Sequence, residues 1–477
     1  MNVLLINPPW ITKGGIWRDV ASCMPPFGLA FIAAYLEKSD VSVEIIDADA
    51  LKLSYKEIDQ MLRSTGSAKQ KNTPEYIGIT AATPTISSSL IVSKIAKDIF
   101  SRQGNTKIVL GGVHPSVMAE DVLKEESVDF VIRGEGEETF RELISGVDRK
   151  KITGLSYKED KNIIHNSERA VISDINTLPF PAYHLLPMEK YFPARGSYKK
   201  LPAMGMMTTR GCPGRCTFCL GSYLGQQVRN RSAEKIFEEM FLLQDRYGIK
   251  EISFYDDVFT TKKENVKNLC KKIITEKMSV SWSCFARVDF VDEELLRAMK
   301  EAGCHQIMYG IESGDEEILK NIHKKISLEK VKEIINITKK TGMDVRAAFM
   351  LGNPGETKET MQKTIDYAIQ LAPDVAIFNI TTPYPGSEMF NWAKEKGILI
   401  TENWDDYDLS RPIMNLPTVS VKEIKEYYNM AYRKFYWRPN YLLKRVFKIR
   451  NLSDIKVGFS TLSAILMKQG RRSKQSR

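Results

Sequence analysis

Apolar runs of five or six residues recur at 3–7, 42–47, 76–81, 107–111 and 128–133. Between them, helical spacing of apolar positions covers 27–38, 55–64, 88–102 and 135–145. Continuous apolar strands separated by amphipathic helices predict a parallel sheet covered on both faces. Ligands of such sheets sit at the carboxyl ends of the strands. Those ends here read Asn7-Pro8-Pro9, Asp47-Ala48-Asp49, Ala81-Ala82-Thr83-Pro84, Gly111-Gly112-Val113-His114-Pro115 and Arg133-Gly134-Glu135-Gly136-Glu137. They are rich in Gly, Pro and small polar residues, as a binding crevice requires. No G-x-G-x-x-G follows the first strand, which disfavours ordinary dinucleotide binding.

The pattern changes at 146–200. Runs at 152–157 and 163–166 predict a small hairpin, and prolines recur at 179, 181, 187, 193 and 202. Phe180, Tyr183, Leu185 and Leu186 give this stretch apolar anchors, so it reads as an ordered connector. Alternation resumes at 203–209, 251–256, 281–287, 306–311, 345–351 and 376–381, with helical patterns such as 232–246, 327–340 and 357–371. Ser232 and Ser327 suit N-caps, and Gly248 and Gly342 suit helix stops. Six β/α units predict a partial barrel, with its chemistry at the C-terminal strand ends. The expected division is 1–145, a connector at 146–200, a barrel at 201–419 and a helical region at 420–477.

Composition adds limits. The 477 residues suit several domains, and the 43% hydrophobic and 27% charged fractions are those of a globular chain. No apolar run is long enough to span a bilayer, and the N-terminus has no signal-peptide pattern, so the expected location is cytoplasmic. The net charge of +10 is local: eleven basic residues against Asp454 alone lie within 437–477. The core is therefore near neutral, and nucleic acid is not an expected partner. Seven cysteines argue for metal or redox chemistry rather than disulfides.

The strongest motif is Thr208-Thr209-Arg210-Gly211-Cys212-Pro213-Gly214-Arg215-Cys216-Thr217-Phe218-Cys219, a C-x3-C-x2-C at the end of a predicted strand. Three close thiolates can converge on a soft metal centre, leaving one iron of a 4Fe–4S cluster open. The alternative, a zinc site, lacks a fourth ligand: the nearest other cysteine is Cys270 and no histidine is near. Cys23, Cys270, Cys284 and Cys304 read as small buried hydrophobes.

This triad, followed by the ordered strand ends, resembles the radical S-adenosylmethionine (SAM) superfamily, in its branch with an N-terminal cobalamin-binding domain. It also resembles the anaerobic Mg-protoporphyrin monomethyl ester cyclase-like family. The resemblance implies an α/β chain with a Rossmann-like cobalamin-binding domain, a partial (β/α)6 TIM-type barrel and a C-terminal helical region. It implies that Cys212, Cys216 and Cys219 hold a 4Fe–4S cluster whose open iron chelates SAM, with Phe218 near the adenine. Asp256 or Asp257 would accept from the SAM ammonium group, and Arg287 would pair with a carboxylate. Glu312 is the candidate for the ribose hydroxyls. Ser313, Gly352 and Pro383 fall in the family's later strand-end turns.

In the N-terminal domain the resemblance places cobalamin against Asn7, Pro8, Gly28, Thr83, Gly111, Gly112, Gly134 and Glu135. His114 is either a pocket contact or a satisfied loop histidine. No D-x-H-x-x-G is present, so cobalamin without a histidine ligand is implied. The chemistry implied is reductive cleavage of SAM to a 5′-deoxyadenosyl radical, hydrogen abstraction from an unactivated carbon and methyl transfer. Oxidative cyclisation, carbon–carbon bond formation, or a non-catalytic carrier or sensor are the alternatives. The expected partners are a small-molecule or lipid substrate and a low-potential electron donor. The aromatic and basic residues of 420–477 also suit a peripheral membrane contact.

Overall fold

The computed structural model describes residues 1–10, 22–65, 73–100, 106–194 and 196–447. The first sheet contains β1 (Asn2–Asn7), β2 (Ser42–Asp47), β3 (Tyr76–Thr80), β4 (Lys107–Gly111), β5 (Phe130–Ile132), β6 (Leu155–Glu159) and β7 (Asn162–His165), in the order β2-β1-β3-β4-β5-β6-β7. Strands β1 to β5 are parallel; β6 and β7 are the connector's hairpin and extend the sheet antiparallel. Val3 and Leu5 of β1 pack into one core and Leu4 and Ile6 into the other. Both faces are thus covered, as the unbroken apolar runs require.

The second sheet contains β8 (Ala203–Met206), β11 (Glu251–Phe254), β12 (Ser281–Ala286), β13 (Cys304–Glu312), β14 (Asp344–Leu351) and β15 (Val375–Ile380). They are parallel in the order β15-β14-β13-β12-β11-β8, a partial barrel with two free edges. Between β8 and β11 lie β9 (Thr209–Arg210) and β10 (Arg229–Asn230), an antiparallel pair that closes the base of the cysteine loop. The outer helices start and stop where the sequence marks them. Ser232 and Ser327 accept from the amides of Lys235 and Lys330, and Gly248 and Gly342 take positive φ at 66° and 79°.

The helix Val421–Tyr436 corrects the membrane expectation for its aromatic face. Ile424, Tyr428 and Phe435 are sealed against the barrel. Tyr432 Oη accepts from the Phe378 amide and donates to its carbonyl (3.2 and 2.9 Å), while Tyr436 and Tyr441 donate to the carbonyls of Ala376 and Asp374. The rings therefore bond the exposed edge of β15, which an open barrel must protect. Among the described residues no helix is long and apolar enough to cross a membrane. The basic stretch 448–477 lies outside the described residues.

The two sheets meet through a buried ion cluster. Arg210 Nη1 donates to Glu135 Oε1 (2.8 Å) and its Nη2 to Glu137 Oε1 (2.5 Å). Arg229 Nη1 spans both Glu135 oxygens at 2.9 Å, and the Ile172 amide donates to Glu135 Oε2 (2.6 Å). Replacing Glu135 by Ala takes the only carboxylate from buried Arg229 and one of two from Arg210, so about 3 kcal/mol of stability should be lost. A lowered urea midpoint checks this, and an unchanged midpoint would refute it.

Candidate functional site

The cysteine loop leaves β9 through Gly211, at φ 90°. A Cβ there would lie 2.7 Å from the carbonyls of Gly225 and Gln227, so only glycine allows this closure. Two further glycines make room where the thiols converge. A Cβ on Gly214 would stand 3.4 Å from Cys212 Sγ and 3.8 Å from Cys216 Sγ; one on Gly221 would stand 3.4 Å from Cys219 Sγ and 3.5 Å from Asp257 Oδ2. Burial pushes the thiol pKa of Cys212 up and that of Cys219 up to about 11. Thiolates here thus need a cationic centre to form. Among the described residues no three His, Cys, Asp or Glu side chains are grouped to hold one metal ion. Three loop cysteines with no fourth ligand beside them among the described residues suit a 4Fe–4S cluster with one open iron better than a four-ligand zinc site.

Around this loop the strand ends divide into free and committed groups. Asp257 lines the cleft beside Cys219, and burial raises its carboxyl pKa. Asp256, expected as its equal, is wholly buried: the Thr208 and Thr209 amides and the Thr208 hydroxyl all donate to it at 2.6 Å. Both follow β11; Asp256 is turned inward onto Thr208 and Thr209, and Asp257, in the turn that begins there, lines the cleft. Arg287 stands near the thiols, with Nη1 3.4 Å from the Cβ position of Gly214, and is paired to Asp289 (2.9 Å). Glu312, at φ 72°, accepts from Lys324 Nζ (2.9 Å) over Gly310. Phe218 is half-buried against the barrel core.

Three expected contacts are corrected. Ser313 is buried in its turn, against Thr364 Oγ1 (3.2 Å) and the Asp315 amide (3.1 Å). Gly352, at φ 88°, packs under Ile424, and Pro383 is buried. The sequence reading passed over Glu356, which closes the Gly352 loop by accepting from the Gly352 and Asn353 amides; burial pushes its pKa up to about 7. A glutamate four residues after a strand-end glycine is the signal that would have found it.

A partly open cleft with about 1170 Å³ of empty space, solvent at its mouth included, runs between the carboxyl ends of the first sheet and the cysteine loop. Gly28, Gly111, Gly112, Gly134 and Glu135 line it, together with Phe27, Phe31, Thr209, Arg210, Gly211 and Asp257. A Cβ on Gly28 or Gly134 would have no atom within 4 Å, so the glycines leave this wall flat and wide. Such a wall fits a corrin ring. Glu135 lines the cleft with its carboxylate held by two arginines. Asn7 donates to Asp47 Oδ1 (2.8 Å), Pro8 is buried, and neither lines the cleft. Thr83 and His114 lie outside the cleft and bond each other (3.1 Å), the satisfied form of the two readings for His114, whose ring meets the edge of Trp404 with centroids 5.1 Å apart. All five histidines are described and none lines the cleft.

The radical SAM superfamily model matches residues 206–368, and the B12 binding domain model matches 15–144. An uncharacterized methyltransferase of Pyrococcus horikoshii is 37% identical over 94% of this chain and 95% of its own. The anaerobic magnesium-protoporphyrin IX monomethyl ester cyclase of Rubrivivax gelatinosus is 27% identical over 93% of this chain and 78% of its own. Among solved structures, OxsB with aqua-cobalamin and S-adenosylmethionine bound matches at TM-score 0.71 and 18% identity, over 99% of this chain and 71% of its own. TsrM from Kitasatospora setae, with cobalamin and a 4Fe–4S cluster bound, matches at TM-score 0.67 and 18% identity, over 90% of this chain and 81% of its own.

Burial lowers the His114 pKa to about 4. Its folded pKa thus lies below its unfolded value, so this group's contribution to stability is present above the unfolded pKa of about 6.5 and lost as pH falls toward 4. In an imidazole NMR titration His114 should stay neutral to the acid side of the other histidines. A midpoint near 6.5 would show the ring to be solvated.

Proposed function

The chain belongs to the radical SAM superfamily, with a B12-binding domain ahead of its barrel, and from this premise we propose that it is a cobalamin-dependent methyltransferase acting on an unactivated carbon. When bound, the 4Fe–4S cluster and SAM supply a hydrogen-abstracting radical, and cobalamin supplies a transferable methyl group. One observation carries the reading: Asp257 and Gly211 of the barrel line the same cleft as Gly28, Gly111, Gly112 and Gly134 of the first sheet. Groups held at the two sites therefore share one enclosure with the substrate.

Cys212, Cys216 and Cys219 would hold the cluster. Asp257, beside Cys219 and open to the cleft, accepts from the SAM ammonium group. Arg287 keeps a positive charge near the thiolates and offers a partner to the SAM carboxylate. The glycine wall would seat the corrin, and no histidine is among the residues that line the cleft. Oxidative cyclisation, the activity named for the Rubrivivax relative, would use the same residues; product mass separates the two, a gain of CH2 against a loss of H2. The substrate is a small molecule, and electrons come from a low-potential donor.

Anaerobically reconstituted protein with SAM, methylcobalamin and dithionite should release 5′-deoxyadenosine, read by mass spectrometry. Changing Cys212, Cys216 and Cys219 together to Ala should abolish it; continued release would overturn the cluster assignment. Gly28→Leu should leave folding stability within about 1 kcal/mol, because the space is open. It should cut cobalamin retention at least tenfold, read from the corrin absorbance, and undiminished retention would remove the glycine wall from the site.

A further inference from the structure

The barrel lumen is lined, not filled. Register places Phe285, Met308, Arg346 and Val375 in one row across β12 to β15. Phe285, Met308 and Val375 are half-buried, whereas the next residues along the strands, Ala286, Tyr309 and Ala376, are sealed under the helices. On β15 the alternation runs further: Ile377 and Asn379 are half-buried, Phe378 and Ile380 sealed. Tyr255 closes the row from β11, its ring 5.1 Å from that of Phe285. Elsewhere the lumen is occupied: Met24 covers Gly205, the Glu312–Lys324 pair lies over Gly310, and Ser253 and Ser283 bond each other at 3.0 Å. The partial exposure of Phe285, Met308 and Val375 marks the stretch that stays accessible, unlike the packed layers of a closed barrel.

One charge in this row has no answer. Arg346 is only 9% exposed, yet among the described residues its guanidinium makes no hydrogen bond, and no carboxylate lies within ion-pair distance. The nearby polar group is the Tyr255 hydroxyl, and burial lowers the Arg346 pKa. Every other strand-end cation in the lumen is matched: Arg287 by Asp289, Lys324 by Glu312. One layer below, Gln306 Oε1 is buried without a partner, as is Asn379 Oδ1 above. A buried, unpaired guanidinium is costly unless a ligand neutralises it. Its planar fork suits an oxyanion.

We propose that Arg346 anchors an oxyanion of the substrate, a carboxylate or phosphoryl group, in the barrel lumen. This rests on the radical SAM reading, which puts the substrate there. The inward layer above carries Arg287, two strand residues or roughly 7 Å higher. A substrate held by its anion at Arg346, its chain along Phe285 and Met308, therefore presents a carbon toward the cysteine loop. The substrate class is an amphiphilic acid with an apolar body.

The test measures binding to full-length reconstituted protein by calorimetry, with octanoate, octylphosphonate and uncharged octanol as probes. At least one anion should bind tighter than octanol. Arg346→Met should weaken that anion at least tenfold and leave octanol unchanged, while Arg346→Lys should weaken it less. The tighter of the two anions identifies carboxylate or phosphoryl recognition. Anions bound no tighter than octanol, or bound equally by Arg346→Met, would overturn the proposal. If Arg346→Met does not fold, Arg346→Gln takes its place in the same comparison. Release of 5′-deoxyadenosine by the unaltered protein is read separately, so its failure would count against the enzyme reading and not against the anion site.

Discussion

Four buried charges hold the two halves of this molecule in the relation its chemistry needs. Glu135 and Glu137 leave the end of β5, and Arg210 and Arg229 form the facing pair of β9 and β10. Moving such charges from water costs several kcal/mol each, and good geometry must return it. Here Glu135 accepts from two guanidinium groups and the Ile172 amide, and Arg229 also donates to the Ile172 and Leu224 carbonyls. The arginine of β9 is also the residue two before Cys212. The same bond that joins the sheets therefore positions the cysteine loop. Gly134, in the same β5 loop, donates its amide to Tyr223 Oη (2.6 Å) at the other end of that loop.

From this clamp follows the shape of the cleft. With the strand ends of the first sheet fixed against the cysteine loop, residues between them must be thin enough for a ligand to enter. Glycine meets that need twice over. At Gly112 the backbone takes φ 103° and a Cβ would sit 2.6 Å from the Ala81 carbonyl, so the glycine is forced by the turn. Gly28 has open space before it, so there the glycine is set by what the cleft must admit.

The strands, the partial barrel and the cysteine loop were legible because each rests on local information: period, cap and spacing. What was not legible depends on where a side chain's partner comes from. Glu135 stands in a glycine-rich strand end and reads as a cofactor contact; its arginines come from 75 and 94 residues away. His114 reads equally as a pocket contact or a satisfied loop histidine; its partners Thr83 and Trp404 come from distant parts of the chain. Asp256 and Asp257 are adjacent and chemically alike, and the Thr208–Thr209 partners, 47 and 48 residues away, make one a backbone brace and leave the other at the cleft. The aromatic helix after residue 420 has the same pattern whether it covers lipid or a strand edge. Here Tyr432 and Tyr436 donate to carbonyls of β15 and Tyr441 to that of Asp374 just before it, and sequence carries no record of hydroxyl partners.

An open barrel creates the problem that these helices and the connector solve. A closed barrel pairs all its strands and fills its interior with branched side chains. This one keeps six strands and leaves β15 and β8 as edges. Backbone groups on an edge need partners. The tyrosines supply them on β15. Near β8 the connector folds in, with the amides of Lys199 and Lys200 donating to Glu251 Oε2 at the foot of β11 (2.8 Å each). Glu251 is itself sealed, with Ser281 also donating to Oε2 and His305 against Oε1. Polar atoms at the barrel's foot are therefore largely bonded by protein, whereas along the lumen wall Gln306 Oε1 and Asn379 Oδ1 are buried without a partner and Arg346 has no ion pair among the described residues. The difference locates the space in which the fold tolerates unsatisfied polarity: above its braced foot and below the cysteine loop.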